Sequence, residues 1–163
     1  MIKPFSTFLL AAILCTVSAQ AKTMKVPAES SVASITFPDS WNPEEIDHGV
    51  AAQSSDDAVY MAVVAVASEK GMNAEIDDTF AMLKEHKVEL DQSTKKENKF
   101  KVGGFDAEEM LFQGKDEDGP TAVSITFVPV KDHVVVITYW VSTADEEGHQ
   151  KEVGEIVNSL KAL

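Results

Sequence analysis

The segment Asp116-Glu117-Asp118-Gly119 is the nearest approach to a metal motif in this sequence. Alternating carboxylates followed by a glycine begin a calcium loop, where the acids coordinate and the glycine makes the sharp turn. The twelfth position counted from Asp116 is Phe127, where a bidentate Glu is needed. The segment therefore reads as a strand-joining turn, with a weak cation site near Asp116 and Asp118 as the alternative. His48, His86, His133 and His149 are scattered, and none has a His or Cys at metal-ligand spacing, which argues against zinc.

Nucleophilic catalysis needs a Ser or Thr on a strained turn with a base in reach, and no G-x-S-x-G occurs. The carboxylate pairs Glu44-Glu45, Asp56-Asp57 and Asp77-Asp78 are adjacent in sequence, so their side chains point in different directions. They read as solvated loops and caps rather than as an acid/base pair. No catalytic residue, metal site or cofactor is assigned, and the chain is read as a non-enzyme. Trp140 lies in a strand apolar on both faces and reads as core. Trp41 reads first as a plug at one end of the domain. The other reading makes it a partner-contact patch with Glu44, Glu45, Asp56 and Asp57.

The elements that would position these residues follow from periodicity. Ala33, Ile35 and Phe37 alternate with polar residues, as in a strand with one buried face. Strands are also expected at 49–53, 58–67, 105–113, 122–130 and 133–141. The runs 58–67 and 133–141 are apolar at nearly every position and must be covered on both faces. Lys131-Asp132 is the length of a tight hairpin between the last two. Phe80, Leu83, Lys87 and Leu90 predict an amphipathic helix over 76–90 with Asp77 or Asp78 as cap. Residues 95–101 read as a charged connection into Gly103-Gly104. A final helix is capped by Ser142 or Thr143, with Thr143 and Glu146 at capping-box spacing, and buries Val153, Ile156, Val157 and Leu160. The fold class is thus α+β: a three-layer α/β/α sandwich with a mostly antiparallel sheet of about six strands and two main helices.

The N-terminus sets the compartment. A cationic start at Lys3 and an apolar run from Phe8 to Val17 lead to small residues at Ala19 and Ala21. This is a secretory signal with cleavage expected after Ala21. The run is about half of the roughly 20 residues needed to span a bilayer. Residues 1–21 are therefore the signal peptide and 22–163 one domain, periplasmic or secreted, with no transmembrane segment after cleavage. Cys15 is the single cysteine, and it leaves with the signal. The formal charge of −13 becomes −14 on losing Lys3. Such a field disfavours nucleic acid and anionic membrane surfaces and permits a basic protein partner.

Ile35-Thr36-Phe37-Pro38-Asp39-Ser40-Trp41, the strand opening Gly104-Phe105-Asp106-Ala107, the hairpin, and the ending Asn158-Ser159-Leu160-Lys161 stand in one order. In this the chain resembles the superfamily of PsbP-like and Ran-binding Mog-like proteins, and most of all its bacterial exported DcrB-like branch. PsbP-like proteins assist a photosynthetic complex and Mog proteins bind a small GTPase. The resemblance implies an antiparallel sheet between helices and an accessory or adaptor role, and it carries over no site. The functional expectation is a non-enzymatic periplasmic accessory or adaptor protein binding another envelope protein. The alternative is an acidic inhibitor or immunity protein masking a cationic secreted enzyme or toxin.

Overall fold

The computed structural model describes residues 20–67 and 69–163. Ala19 and most of the expected signal segment lie outside them, and Ala21 is the first residue of a strand. The chain runs β1 (Ala21–Val26), β2 (Ala33–Pro38), β3 (Glu44–Ile46), β4 (Gly49–Gln53), β5 (Val59–Val66), α1 (Glu69–Glu85), β6 (Glu89–Val102), β7 (Phe105–Lys115), β8 (Pro120–Val130), β9 (His133–Ser142), α2 (Glu146–Asn158) and β10 (Lys161–Ala162). A seven-stranded sheet has the order β3-β4-β5-β9-β8-β7-β6, and β1-β2-β10 form a smaller one. The strand pairs in both are antiparallel.

The doubly apolar strands sit inside the large sheet, as their composition requires. On β9, Val135, Ile137 and Val141 point into one apolar cluster and Val136 and Trp140 into another. The first cluster takes Ile35 and Phe37 from β2 and Val153, Ile156 and Val157 from α2. The second takes Leu83, with Phe80 and Met82 against it, from α1. One face is thus shared by α2 and the small sheet, while α1 covers part of the other. The architecture is α+β, mostly antiparallel, with two helices; the second sheet is a feature that the pattern of six strands did not contain.

Four expectations need correction. The first helix spans Glu69–Glu85, not 76–90, so Asp77 and Asp78 lie within it and cap nothing. Lys87 adopts φ 60°, its N–H bonds to Lys84 O at 3.0 Å, and Val88 N–H bonds to Leu83 O at 2.8 Å. That paired closure ends the helix before Lys87. Residues 95–101 are not a connection but part of β6, an edge strand whose lysines guard the open backbone against foreign pairing. Asn42 to Glu45 do not form a loop alone, because Glu44–Ile46 pair with β4. At α2 the N-cap is Asp145, which makes no side-chain cap bond; Thr143 instead donates its hydroxyl to Pro120 O at 3.2 Å, closing the end of the β8–β9 ladder.

Two residues of the β6–β7 turn, Gly103 at φ 56° and Gly104 at φ 94°, take the left-handed backbone that a two-residue hairpin demands. A Cβ on Gly103 would also stand 2.1 Å from the Leu160 carbonyl oxygen. The hairpin therefore seats directly against the chain leaving α2.

Candidate functional site

Period-two geometry places Glu44 beside Ala51, Ala51 beside Ala62, and Ala62 beside Thr138 on the α1 face of the sheet. Gln53, Tyr60 and Trp140 form the next row. Alanines at two neighbouring floor positions leave a trough where larger side chains would fill the gap between β3 and α1. One part, about 390 Å³, runs under α1 past Glu75, Asp78, Thr79 and Met82, with Asp47 and His48 at its outer side. A second depression of about 290 Å³ lies at the β4–β5 turn and is lined by Glu44, Asp57 and Tyr60 among others. The two adjoin through the Ala51–Ala62 pair.

Five carboxylates, Glu44, Asp47, Asp57, Glu75 and Asp78, line these two depressions, and no lysine does. The chain has no arginine to compensate. Burial, and then the neighbouring Asp78, pushes the Glu75 carboxyl up from its ordinary range. Burial and then Glu44 likewise push the Tyr60 hydroxyl up. Burial is the larger cause in both and disfavours charge on these two groups; the smaller contributions of Asp78 and Glu44 come from neighbouring negative charge, which a cation at the rim would offset. At the far end Tyr60 stacks on Trp140 at 4.4 Å, and His86 lies 5.1 Å from each ring.

Four lysines on the β6 side are held in pairs of their own. Lys95 meets Glu97 at 2.8 Å, Lys99 meets Glu108 at 2.5 Å, Lys101 meets Asp106 at 2.7 Å and Lys115 meets Glu89 at 2.9 Å. Exposed pairs of this kind add little stability, yet they cancel charge locally.

Of the five contact residues expected from sequence, the structure brings Glu44, Asp57 and the buried Trp41 to the wall of the trough. Trp41 is 1 % exposed and packs near Phe37, with ring centroids 6.4 Å apart, so it is the plug and offers almost no surface to a partner. Glu45 alternates to the opposite face of β3. Asp56 turns toward α2, where its carboxylate accepts from Ser54 Oγ at 2.7 Å and lies 3.1 Å from His149 Nε2. Sequence reasoning missed Asp47, Glu75 and Tyr60. The helix begins about two turns before the expected 76, which brings Glu75 into it, and Tyr60 lies inside an apolar run. Glu75 at i and Thr79 at i+4 would have shown the inward polar stripe had the helix been placed correctly.

Elsewhere the polar groups are occupied by turns. Asp116 Oδ1 accepts from the N–H groups of Asp118 at 2.9 Å and Gly119 at 3.0 Å, and Glu117 pairs with Lys87. Among the described residues no three His, Cys, Asp or Glu side chains converge on a possible metal position. Ser93 and Lys96 have the S-x-x-K spacing of some serine enzymes, but Ser93 donates to Asp91 Oδ1 at 2.6 Å on an exposed stretch of β6. No described helix is long and apolar enough to cross a membrane.

No family model matches the chain, and no curated protein matches it. Solved structures do. The cyanobacterial PsbP (CyanoP) from Synechocystis aligns over 94% of this chain and 99% of its own, with TM-score 0.59 and 7% identity. LpqN of Mycobacterium tuberculosis, involved in cell envelope biogenesis, aligns over 87% of this chain and 91% of its own, with TM-score 0.53 and 10% identity. The Ran-binding protein Mog1p of Saccharomyces cerevisiae aligns over 88% of this chain and 96% of its own, with TM-score 0.51 and 13% identity. At such identities the likeness is one of fold, and at that level the resemblance read from the sequence holds.

Proposed function

We propose that this chain, which shares the fold of PsbP and Mog1p structures, is a non-enzymatic periplasmic accessory or adaptor protein that docks a basic region of another envelope protein on the acidic trough. One observation carries the reading: five carboxylates and no lysine line the trough. A cationic segment fits that field, and an aromatic stack at one end supplies the kind of anchor on which interfaces concentrate their energy. That Mog1p is Ran-binding and LpqN is involved in envelope biogenesis supports an accessory role on this fold.

Immobilised chain incubated with envelope extract at low and at high salt tests the proposal. A basic protein retained at low salt, released at high salt, and lost when the trough carboxylates are converted to amides supports it. Equal retention by the amide variant contradicts it. If the retained protein is an enzyme silenced by binding, the same face serves the alternative role of an acidic inhibitor.

A further inference from the structure

On the α2 face of the sheet, β8 changes character along its length. Val128 and Val130 are buried and apolar, whereas Ser124 and Thr126, 1 % and 3 % exposed, are polar. Ser124 Oγ donates to Glu109 Oε1 at 2.6 Å and Asn98 Nδ2 donates to Glu109 Oε2 at 3.0 Å. Tyr139 stands opposite Ser124 on β9, and burial followed by Glu109 pushes its hydroxyl up. Neutral donors thus fix the Glu109 carboxylate in one orientation, and none of the ion pairs among the described residues includes it. Its neighbour Glu108 is paired with Lys99.

Glu109 and Tyr139 line a cleft of about 240 Å³ between the sheet and α2. Phe100, Val153 and Val157 give it an apolar wall, and no lysine lines it. Phe100 is 39% exposed, unusual for a large apolar side chain in this chain. A Cβ on Gly154 of α2 would meet nothing within 4 Å, so space is left open there. The volume falls below the roughly 300 Å³ at which pockets begin to take drug-sized ligands; it suits one extended side chain or a small amine.

We propose that this cleft binds an amphipathic cation, an ammonium or guanidinium group on an apolar stem, with the charge at Glu109 and the stem along Phe100 and Val153. A charge-assisted hydrogen bond to an oriented, partly desolvated carboxylate is stronger than one between neutral groups. The apolar stem removes the exposed face of Phe100 from water. The site lies on the opposite face of the sheet from the acidic trough and stands independently of the function proposed for it.

Amide NMR spectra of the chain titrated with pentylamine, with pentanol, and with a short arginine-containing peptide test this. Saturable shifts at Glu109, Ser124, Thr126 and Tyr139 and along residues 149–157 of α2 are expected with pentylamine and not with pentanol. Glu109→Gln weakens the amine at least about tenfold, the equivalent of roughly 1.4 kcal/mol, while Glu108→Gln leaves it unchanged. Should Glu109→Gln disturb the fold, Gly154→Leu fills the cleft without touching the hydrogen-bonded relay and abolishes binding. Tighter saturation by the peptide identifies a partner's side chain as the source of the cation; saturation by the free amine alone identifies a small amine. Absence of saturable shifts with both cations, or amine binding retained in Glu109→Gln or Gly154→Leu, overturns the proposal.

Discussion

His149 Nε2 and Asp56 Oδ2 lie 3.1 Å apart although 93 positions separate them in the chain, so the first turns of α2 are tied to the β4–β5 turn. The hydroxyl of Ser54, then the Ala58 N–H and His149, hold the Asp56 carboxyl below its ordinary value near 3.8. A carboxylate with a depressed folded pKa contributes stability above the unfolded value, and that contribution is lost as pH falls through the folded one. Asp56→Ala is expected to cost about 1 kcal/mol at neutral pH. In urea melts the gap from the parent chain closes as the pH drops below the carboxylate range, and a gap independent of pH contradicts this role.

Glu75 behaves in the opposite sense. Its folded pKa is raised from the ordinary 4.5, first by burial and then by Asp78. Its favourable contribution is therefore present only below the unfolded value and is lost as pH rises through the folded one, leaving a cost at neutral pH. Glu75→Gln should raise stability at neutral pH by less than about 1 kcal/mol, and the melting temperature with it, because the group is only half-buried. The gain vanishes in acid, and thermal melts across pH read it directly.

The β6–β7 turn offers a paired comparison. Gly104→Ala meets open space and carries only the left-handed backbone cost, about 1–2 kcal/mol. Gly103→Ala carries that cost and also drives a Cβ to 2.1 Å from Leu160 O, so it should lose clearly more stability. Equal denaturation midpoints for the two variants would show that the hairpin does not seat against Leu160.

Trp41→Ala removes a fully buried ring from the cluster under β2 and should cost about 3–5 kcal/mol. Trp41→Phe keeps most of the packing and should leave partner retention unchanged, since a side chain 1 % exposed offers almost no surface even where it backs the trough. A large loss of binding by a stably folded Trp41→Phe chain would reinstate this residue as a contact.

All six strands read from periodicity are present, because alternation in β2 and unbroken apolar runs in β5 and β9 are direct records of burial. β1 also escaped, because its alternation of buried Met24 and Val26 around exposed Lys25 is only three residues long and follows directly on the expected cleavage point; the other missed strands carry no such record. β6 is exposed on both faces along most of its length, so its residues answer to edge protection rather than to a core. β3 and β10 have three and two residues, too few for a period. The acidic surface was visible as net charge, and Glu44 and Asp57 could be named. Their company with Asp47, Glu75 and Asp78 depends on the β3–β4 pairing and on which face α1 turns inward, and neither is written locally.

On the function proposed above, the trough, and not negative charge in general, recognises a basic partner. The most direct test is the affinity of a partner retained from envelope extract for two charge-matched variants. One carries Glu44→Gln, Asp57→Asn, Glu75→Gln and Asp78→Asn; the other converts Glu29, Asp118, Glu147 and Glu155 to amides. With about 0.5 kcal/mol from each trough charge, the first variant binds roughly 30-fold more weakly at low salt, and the second binds as the parent does. Equal weakening in both variants, or none in the first, would contradict the account.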